Sequence, residues 1–376
     1  MWGSVNRASL AALLAQEVRQ SFQLSLTSIA LVAVLASACS SPHPTAAAPT
    51  SSPVSSPSPY FDLNPRVLGT GFAPGIGGNM ACSSSDLVFD DGPQRNLYTT
   101  SIAAFEPRKL LTVNGNIGPI SMAGGWAALA VYTQAGQQLS PLGSWSVYAV
   151  EITSGRSVVL ASGANETQLS ELPFPTAGDG VIVWDELLSP GNKVLWRYET
   201  SSGATTQLKL PANTDPVRPS AAGGTILFLD NSRDPNHASE GWLGRGGEPL
   251  LMDMATGQIT HLATNEVVIY AVLTTSRAVW VNTSTSHADF FVIQEVAIPG
   301  GTVRTLTETK ILAPVRAAGQ ITIWAAAPRG AVTARLGSRT AVVSPDLDVS
   351  PGGVALCGSD FYYGGRNQSI KVAHIG

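Results

Sequence analysis

The sequence predicts an all-β fold, a seven-bladed β-propeller of four-stranded antiparallel blades, on three observations. A strand-forming unit recurs seven times at intervals of about 46 residues, the length of one four-stranded blade. The composition suits strands and turns, with 37 Gly, 25 Pro and only 13% charged residues in 376. After Cys39 no long stretch places apolar residues at helical spacing.

Taken in chain order, residues 1–38 are expected to be a lead and signal peptide. LSLTSIALVAVLA, residues 24–36, carries no charge and follows Arg19. It has the length of a signal-peptide apolar region and falls short of the roughly 20 residues that span a membrane. Ala36, Ser37 and Ala38 lead into Cys39, which resembles the lipobox of bacterial lipoproteins, in which the cysteine is lipidated and becomes the new N-terminus. Leucine is more usual three residues before that cysteine, where Ala36 stands here. Ordinary secretory cleavage nearby, with Cys39 incidental, is the alternative. Residues 40–58 are almost entirely Ser, Pro, Ala and Thr, too poor in apolar surface to offset the entropy of ordering. They are expected to form an extended, disordered linker of the lipid-anchored region 39–58.

The β-propeller domain is expected over residues 59–376. Its seven units begin CSSSDLVF (82–89), SMAGGWAAL (121–129), TAGDGVIVW (176–184), SAAGGTILF (220–228), TTSRAVW (274–280), RAAGQITIW (316–324) and CGSDFYY (357–363). Each passes through a turn of small or polar residues into an apolar strand closed by a large residue: Phe89, Leu129, Trp184, Phe228, Trp280, Trp324 or Tyr363. The tryptophans in this column are expected to pack between blades. Most units continue as a strand, a Gly-containing turn and another strand, as in VYAVEITSGRSVVLA and LLMDMATGQITHLA. The small-residue turn and the Asp/Glu-x-x-Ser/Thr-Gly hairpin resemble those of TolB-like and WD-type β-propellers. That family's fuller turn, Ser-Pro-Asp-Gly, is intact in no unit, so the resemblance implies the fold and assigns no functional residue. The last unit supplies three strands before Gly376, whereas YFDLNPRVL, residues 60–68, belongs to no repeat. The N-terminal strand is therefore expected to complete the last blade and close the ring, which also removes an open sheet edge.

Cys82 and Cys357 head the first and last units, which become neighbours only when the ring closes. In an exported chain with Cys39 lipidated, these two are expected to pair, which stabilises by about 4 to 5 kcal/mol in the chain-entropy model. Innermost strands converge at the axis, which favours the bridge; equivalent positions point in the same rotational sense, which opposes it. Two buried free thiols are the alternative.

Signals for chemistry are sparse. LDNSRDPNHASEGW, residues 229–242, spaces Asp230, Ser232, Asp234 and Asn236 at every second position, as oxygen ligands of calcium are spaced. Pro235 stands where such a loop needs Gly, and a solvated insertion explains the same residues, so no metal or cofactor is assigned beyond this weak calcium candidate. Trp242 falls outside the inter-blade column and is a candidate contact residue. The residues heading the units are Cys82, Ser121, Thr176, Ser220, Thr274, Arg316 and Cys357, which predicts a channel of small side chains with Arg316 as the odd member. Arg316 would hold an anionic group if it points inward, or pair with a neighbouring blade's acid. No G-x-S-x-G, H-E-x-x-H, P-loop or C-x-x-C pattern occurs. A net charge of −4 with scattered Lys and Arg argues against a nucleic-acid partner.

Two functions are consistent with this reading. One is a binding or scaffold propeller for a protein, peptide or glycan, held outside the cell membrane by its lipid. The other is an extracytoplasmic hydrolase or lyase with its site at the propeller axis.

Overall fold

The computed structural model describes residues 65–72, 79–91, 95–134, 142–164, 173–189, 192–233, 246–263, 267–283, 290–309, 315–325, 332–343, 353–365 and 368–375. The expected signal peptide, Cys39 and the linker lie outside them.

Seven four-stranded antiparallel sheets account for the strands. Blade 1 comprises Met80–Cys82, Asp86–Asp90, Asn96–Ser101 and Arg108–Thr112; blade 2 Asn116–Ala123, Trp126–Gln134, Leu142–Glu151 and Ser157–Ala164. Blade 3 comprises Thr176–Gly178, Val181–Ser189, Asn192–Glu199 and Thr205–Gln207; blade 4 Pro216–Ala222, Thr225–Asp230, Glu248–Asp253 and Ile259–His261. Blade 5 comprises Val268–Leu273, Arg277–Thr283, Phe291–Ala297 and Arg304–Thr309; blade 6 Arg316–Ala318, Ile321–Ala325, Val332–Leu336 and Arg339–Val343. Blade 7 takes Val354–Cys357, Asp360–Gly365 and Ser369–His374 from the end of the chain and Arg66–Thr70 from its beginning. The N-terminal strand pairs antiparallel with Ser369–His374, setting Arg66 opposite Val372, so the ring closes as the unpaired repeat predicted.

The seven closing residues share one structural position. Three pairs back from the first hairpin the partners are Ala81 and Val88, Ser121 and Ala128, Thr176 and Val183, Ser220 and Leu227, Val272 and Val279, Arg316 and Ile323, and Ala355 and Tyr362. The next residue along each second strand is Phe89, Leu129, Trp184, Phe228, Trp280, Trp324 or Tyr363, and every one is buried. Each packs into the apolar layer shared with the preceding blade: Trp184 against Ala128 and Trp145 of blade 2, Trp280 against Leu227 and Leu251 of blade 4, Phe89 against Ala355 and Tyr362 of blade 7. The core is therefore seven inter-blade layers and not one central mass. Burying a large side chain in such a layer contributes about 2 to 3 kcal/mol.

The same register corrects the column expected to head the units. Ala81, Val272 and Ala355 occupy the position assigned from sequence to Cys82, Thr274 and Cys357. All seven hairpins turn through two residues, so the distance back from the closing residue is constant, and matching by residue type slipped in three units.

This slip explains the disulfide. Cys82 and Cys357 are bonded, with Cα atoms 5.9 Å apart. Cys357 pairs with Asp360 at the hairpin itself, whereas Cys82 lies one step further in, because Ser83 makes the corresponding pair with Asp86. Successive strand residues face opposite ways, so a one-residue offset turns Cys82 towards blade 7 and Cys357 towards blade 1. The expected objection, that equivalent positions point the same way, fails because the positions are not equivalent.

Polar groups also bind blades together. Buried Arg277 of blade 5 donates to the carbonyls of Gly319 and Ile321 in blade 6, at 2.8 and 2.7 Å, and pairs with Glu295 at 2.5 Å. Burial pushes the Glu295 carboxyl up, but the guanidiniums of Arg304 and Arg277 outweigh it and hold the group below its ordinary value. Near the axis small residues permit close approach: a Cβ on Gly178 would stand 2.8 Å from the Cβ of Ala221 in the next blade.

Candidate functional site: an axial channel with two arginines

The seven first strands enclose an axial cavity of about 440 Å³, to which every blade contributes. This volume falls in the range of small-molecule sites. Hydroxyl groups in the lining are already committed between blades. Ser121 Oγ accepts the amide of Ala177 at 3.0 Å and lies 3.3 Å from Thr176 Oγ1, and Ser220 Oγ accepts the amide of Leu273 at 2.9 Å. They hold the ring in register around the opening.

Two guanidiniums stand among these small groups. Arg218 lies in a bulge of its strand, where pairing jumps from Val217 to Ser220, and its φ of 52° is in the left-handed region. A non-glycine residue there carries backbone strain. The bulge buries the side chain beneath two rings, with its guanidinium carbon 4.6 Å from the centre of Tyr270 and 5.6 Å from that of Phe174. Nη1 donates to the carbonyl of Ile269. Asp185 of blade 3 lies close by, 3% exposed, its Oδ1 accepting the amide of Phe174 at 2.7 Å. Burial pushes the Asp185 carboxyl up to about 7, against the opposing pull of backbone amides and of Arg218.

Arg316 begins the first strand of blade 6 and lines the channel, as the sequence allowed. Its Nη1 donates to the carbonyl of Val315 at 3.2 Å. The acid from a neighbouring blade that would have explained it structurally is not present among the described residues. Tyr270 lines the same cavity as Arg316 and Arg218. Burial lowers the pKa of both guanidiniums from a value so high that both remain charged. The site is thus a cationic corner made by blades 4, 5 and 6, with Phe174 and Tyr270 as flat apolar walls.

Of the other residues singled out from sequence, Asp230 is buried and accepts the amides of Asp215 and Ser232 through Oδ1, at 3.0 and 3.1 Å. Asp234, Asn236 and Trp242 lie outside the described residues. Among the described residues no three His, Cys, Asp or Glu side chains gather as a metal site. His261 and His374 sit exposed on the blades, each beside an acid, Glu248 at 2.6 Å and Asp360 at 3.0 Å.

Arg218, Tyr270, Phe174 and Asp185 were missed in the sequence. A signal for Asp185 exists: an aspartate follows the closing residue in VFDD and VWDE, and two places later in LFLD. In all three the carboxylate accepts the amide of the chain entering the first strand, from Asn79 to Asp90, Phe174 to Asp185 and Asp215 to Asp230. For Arg218 the signal is a charged residue just upstream of the small-residue column in VRPSAAGG.

Among known proteins, no family model matches the chain and no curated relative matches it. Solved structures do. The acylaminoacyl peptidase of Pyrococcus horikoshii is 9% identical with a TM-score of 0.51, over 70% of this chain and 44% of the peptidase. TolB from Acinetobacter baumannii is 13% identical with a TM-score of 0.47, over 66% of this chain and 60% of TolB. The designed protein Ika8 is 10% identical with a TM-score of 0.49, over 82% of this chain and all of Ika8. This chain therefore spans less than two thirds of the natural proteins named here. At such identities the likeness to the peptidase is one of fold, which the seven blades establish in their own right.

Proposed function

We propose that the protein is an extracytoplasmic lipoprotein, with a signal peptide over 1–38, a lipid on Cys39, a linker to residue 58 and a propeller over 59–376. The propeller acts as a binding or scaffold module for a protein, peptide or glycan. The channel lining carries this reading: two guanidiniums and two aromatic walls are groups that recognise a ligand, in a ring that the hydroxyls between blades hold in register. A hydrolase or lyase at the axis would call for a nucleophile or acid paired with a base; in the described lining Ser121 and Ser220 are engaged between blades and Asp179 accepts the amide of Gly223. The Cys82–Cys357 bridge suits an oxidising compartment outside the cytoplasm. The lipobox-like run before Cys39 supports the anchor.

Two experiments test the two halves of the proposal. A labelled fatty acid fed to the native host should be incorporated into the wild-type protein and not into Cys39→Ser; an unlabelled wild type, or equal labelling of the variant, would refute the anchor. Photo-crosslinkers placed in turn around both rims should give discrete adducts on one face in native membranes. Turnover of ester, peptide or glycoside substrates by the purified protein, lost on substitution of a channel residue, would replace the binding role with catalysis.

A further inference from the structure

Arg316 occupies a register position that the other six blades fill with Ala81, Ser121, Thr176, Ser220, Val272 and Ala355. Packing at the axis therefore does not require a long side chain there. A guanidinium carries five N–H donors and a charge that is costly to remove from water without a partner. The bond to Val315 engages one nitrogen, and no described carboxylate forms an ion pair with the group. Arg218 adds a second positive charge to the same cavity, beside Tyr270, and it is held there at the expense of a left-handed backbone. The lining also holds the carboxylate of Asp179, whose Oδ2 accepts the amide of Gly223 at 3.0 Å; two guanidiniums against it leave the cavity net positive and attractive to an anion.

We infer that the channel is an oxyanion site, in which the fork of Arg316 takes the carboxylate or phosphate group of a small ligand, Arg218 reinforces the field, and Phe174 and Tyr270 face the ligand's body. Planar, bidentate recognition of either oxyanion is what the guanidinium fork supplies. A cavity of about 440 Å³ admits a small molecule or the end of a chain and not a folded partner. The inference rests on the binding reading above and names the ligand chemistry of its channel.

The test titrates the full-length protein, purified in detergent from membranes, with inorganic phosphate and separately with acetate. Ionic strength is held constant with chloride, and both the binding heat and the melting temperature are followed. Saturable binding is expected for the wild type, with a rise in melting temperature; the oxyanion that saturates, phosphate or acetate, identifies the source. Arg316→Gln should weaken that binding at least tenfold. Arg316→Lys, which keeps the charge but not the fork, should fall between and serves as the folded control. Absence of saturable binding by either anion overturns the site. So does equal binding by wild type and both variants, which would mean an adventitious ion only. If oxyanion binding fails while the rim crosslinks persist, only the channel assignment falls; if both fail, the binding reading falls with it.

Discussion

Asp185 shows how a single buried group couples the channel to the stability of the ring. Its carboxyl has a folded-state pKa of about 7 against an ordinary 3.8. Between those values the folded protein holds a proton that the unfolded chain releases, so this residue makes stability fall as pH rises through that window. The slope is at most about 1.4 kcal/mol per pH unit, and it flattens above about pH 7. Asp185→Asn should remove that component, which urea midpoints measured from pH 4 to 8 would reveal; parallel curves for wild type and variant would contradict the burial argument. At Trp280, fully buried with Nε1 donating to Gln294 at 2.9 Å, truncation to alanine should cost about 3 to 5 kcal/mol in the same assay. These two residues also mark the limit of legibility. Trp280 stands in a repeating column that sequence alone exposes, whereas the contact between Asp185 and Arg218 depends on a bulge, and a local backbone jump leaves no periodic trace.

Among the elements, the clasp between the first and last blades is the most consequential. Its cysteines are 275 residues apart in sequence, so bridging them restricts the unfolded chain strongly. Cys82→Ala together with Cys357→Ala should lower stability by about 2 to 5 kcal/mol, read from urea midpoints without reductant. An unchanged midpoint would mean that the N-terminal strand alone holds the ring closed. That strand has its own role: without Arg66–Thr70, Ser369–His374 becomes an open edge. Deleting residues 66–70 is expected to cause concentration-dependent aggregation, measurable by light scattering. Both closures were legible because blade 7 lacked one strand and two cysteines headed the outermost units. The facing of the cysteines was not. It depends on a one-residue difference in register, which an alignment by residue type conceals.

Over the whole molecule, seven similar blades leave a narrow channel, and departures from similarity concentrate the chemistry. Ring size and small-residue lining follow from the repeat length and from the residues before each hairpin. Arg316 stood out in the sequence because it broke that column, and it lines the channel as allowed. Tyr270 and Arg218, which line the same cavity, enter from two other blades, and no spacing along one chain brings blades 4, 5 and 6 together; only the closed ring does. The proposed function adds a lipid tether that would hold this channel near a membrane surface. The most direct measurement is the intact mass of the protein purified from native membranes, with and without reduction and alkylation. The expected result is a chain that begins at Cys39 with added acyl mass and gains two alkyl groups only after reduction and denaturation. An unacylated chain, or thiols that alkylate without reduction, would contradict it.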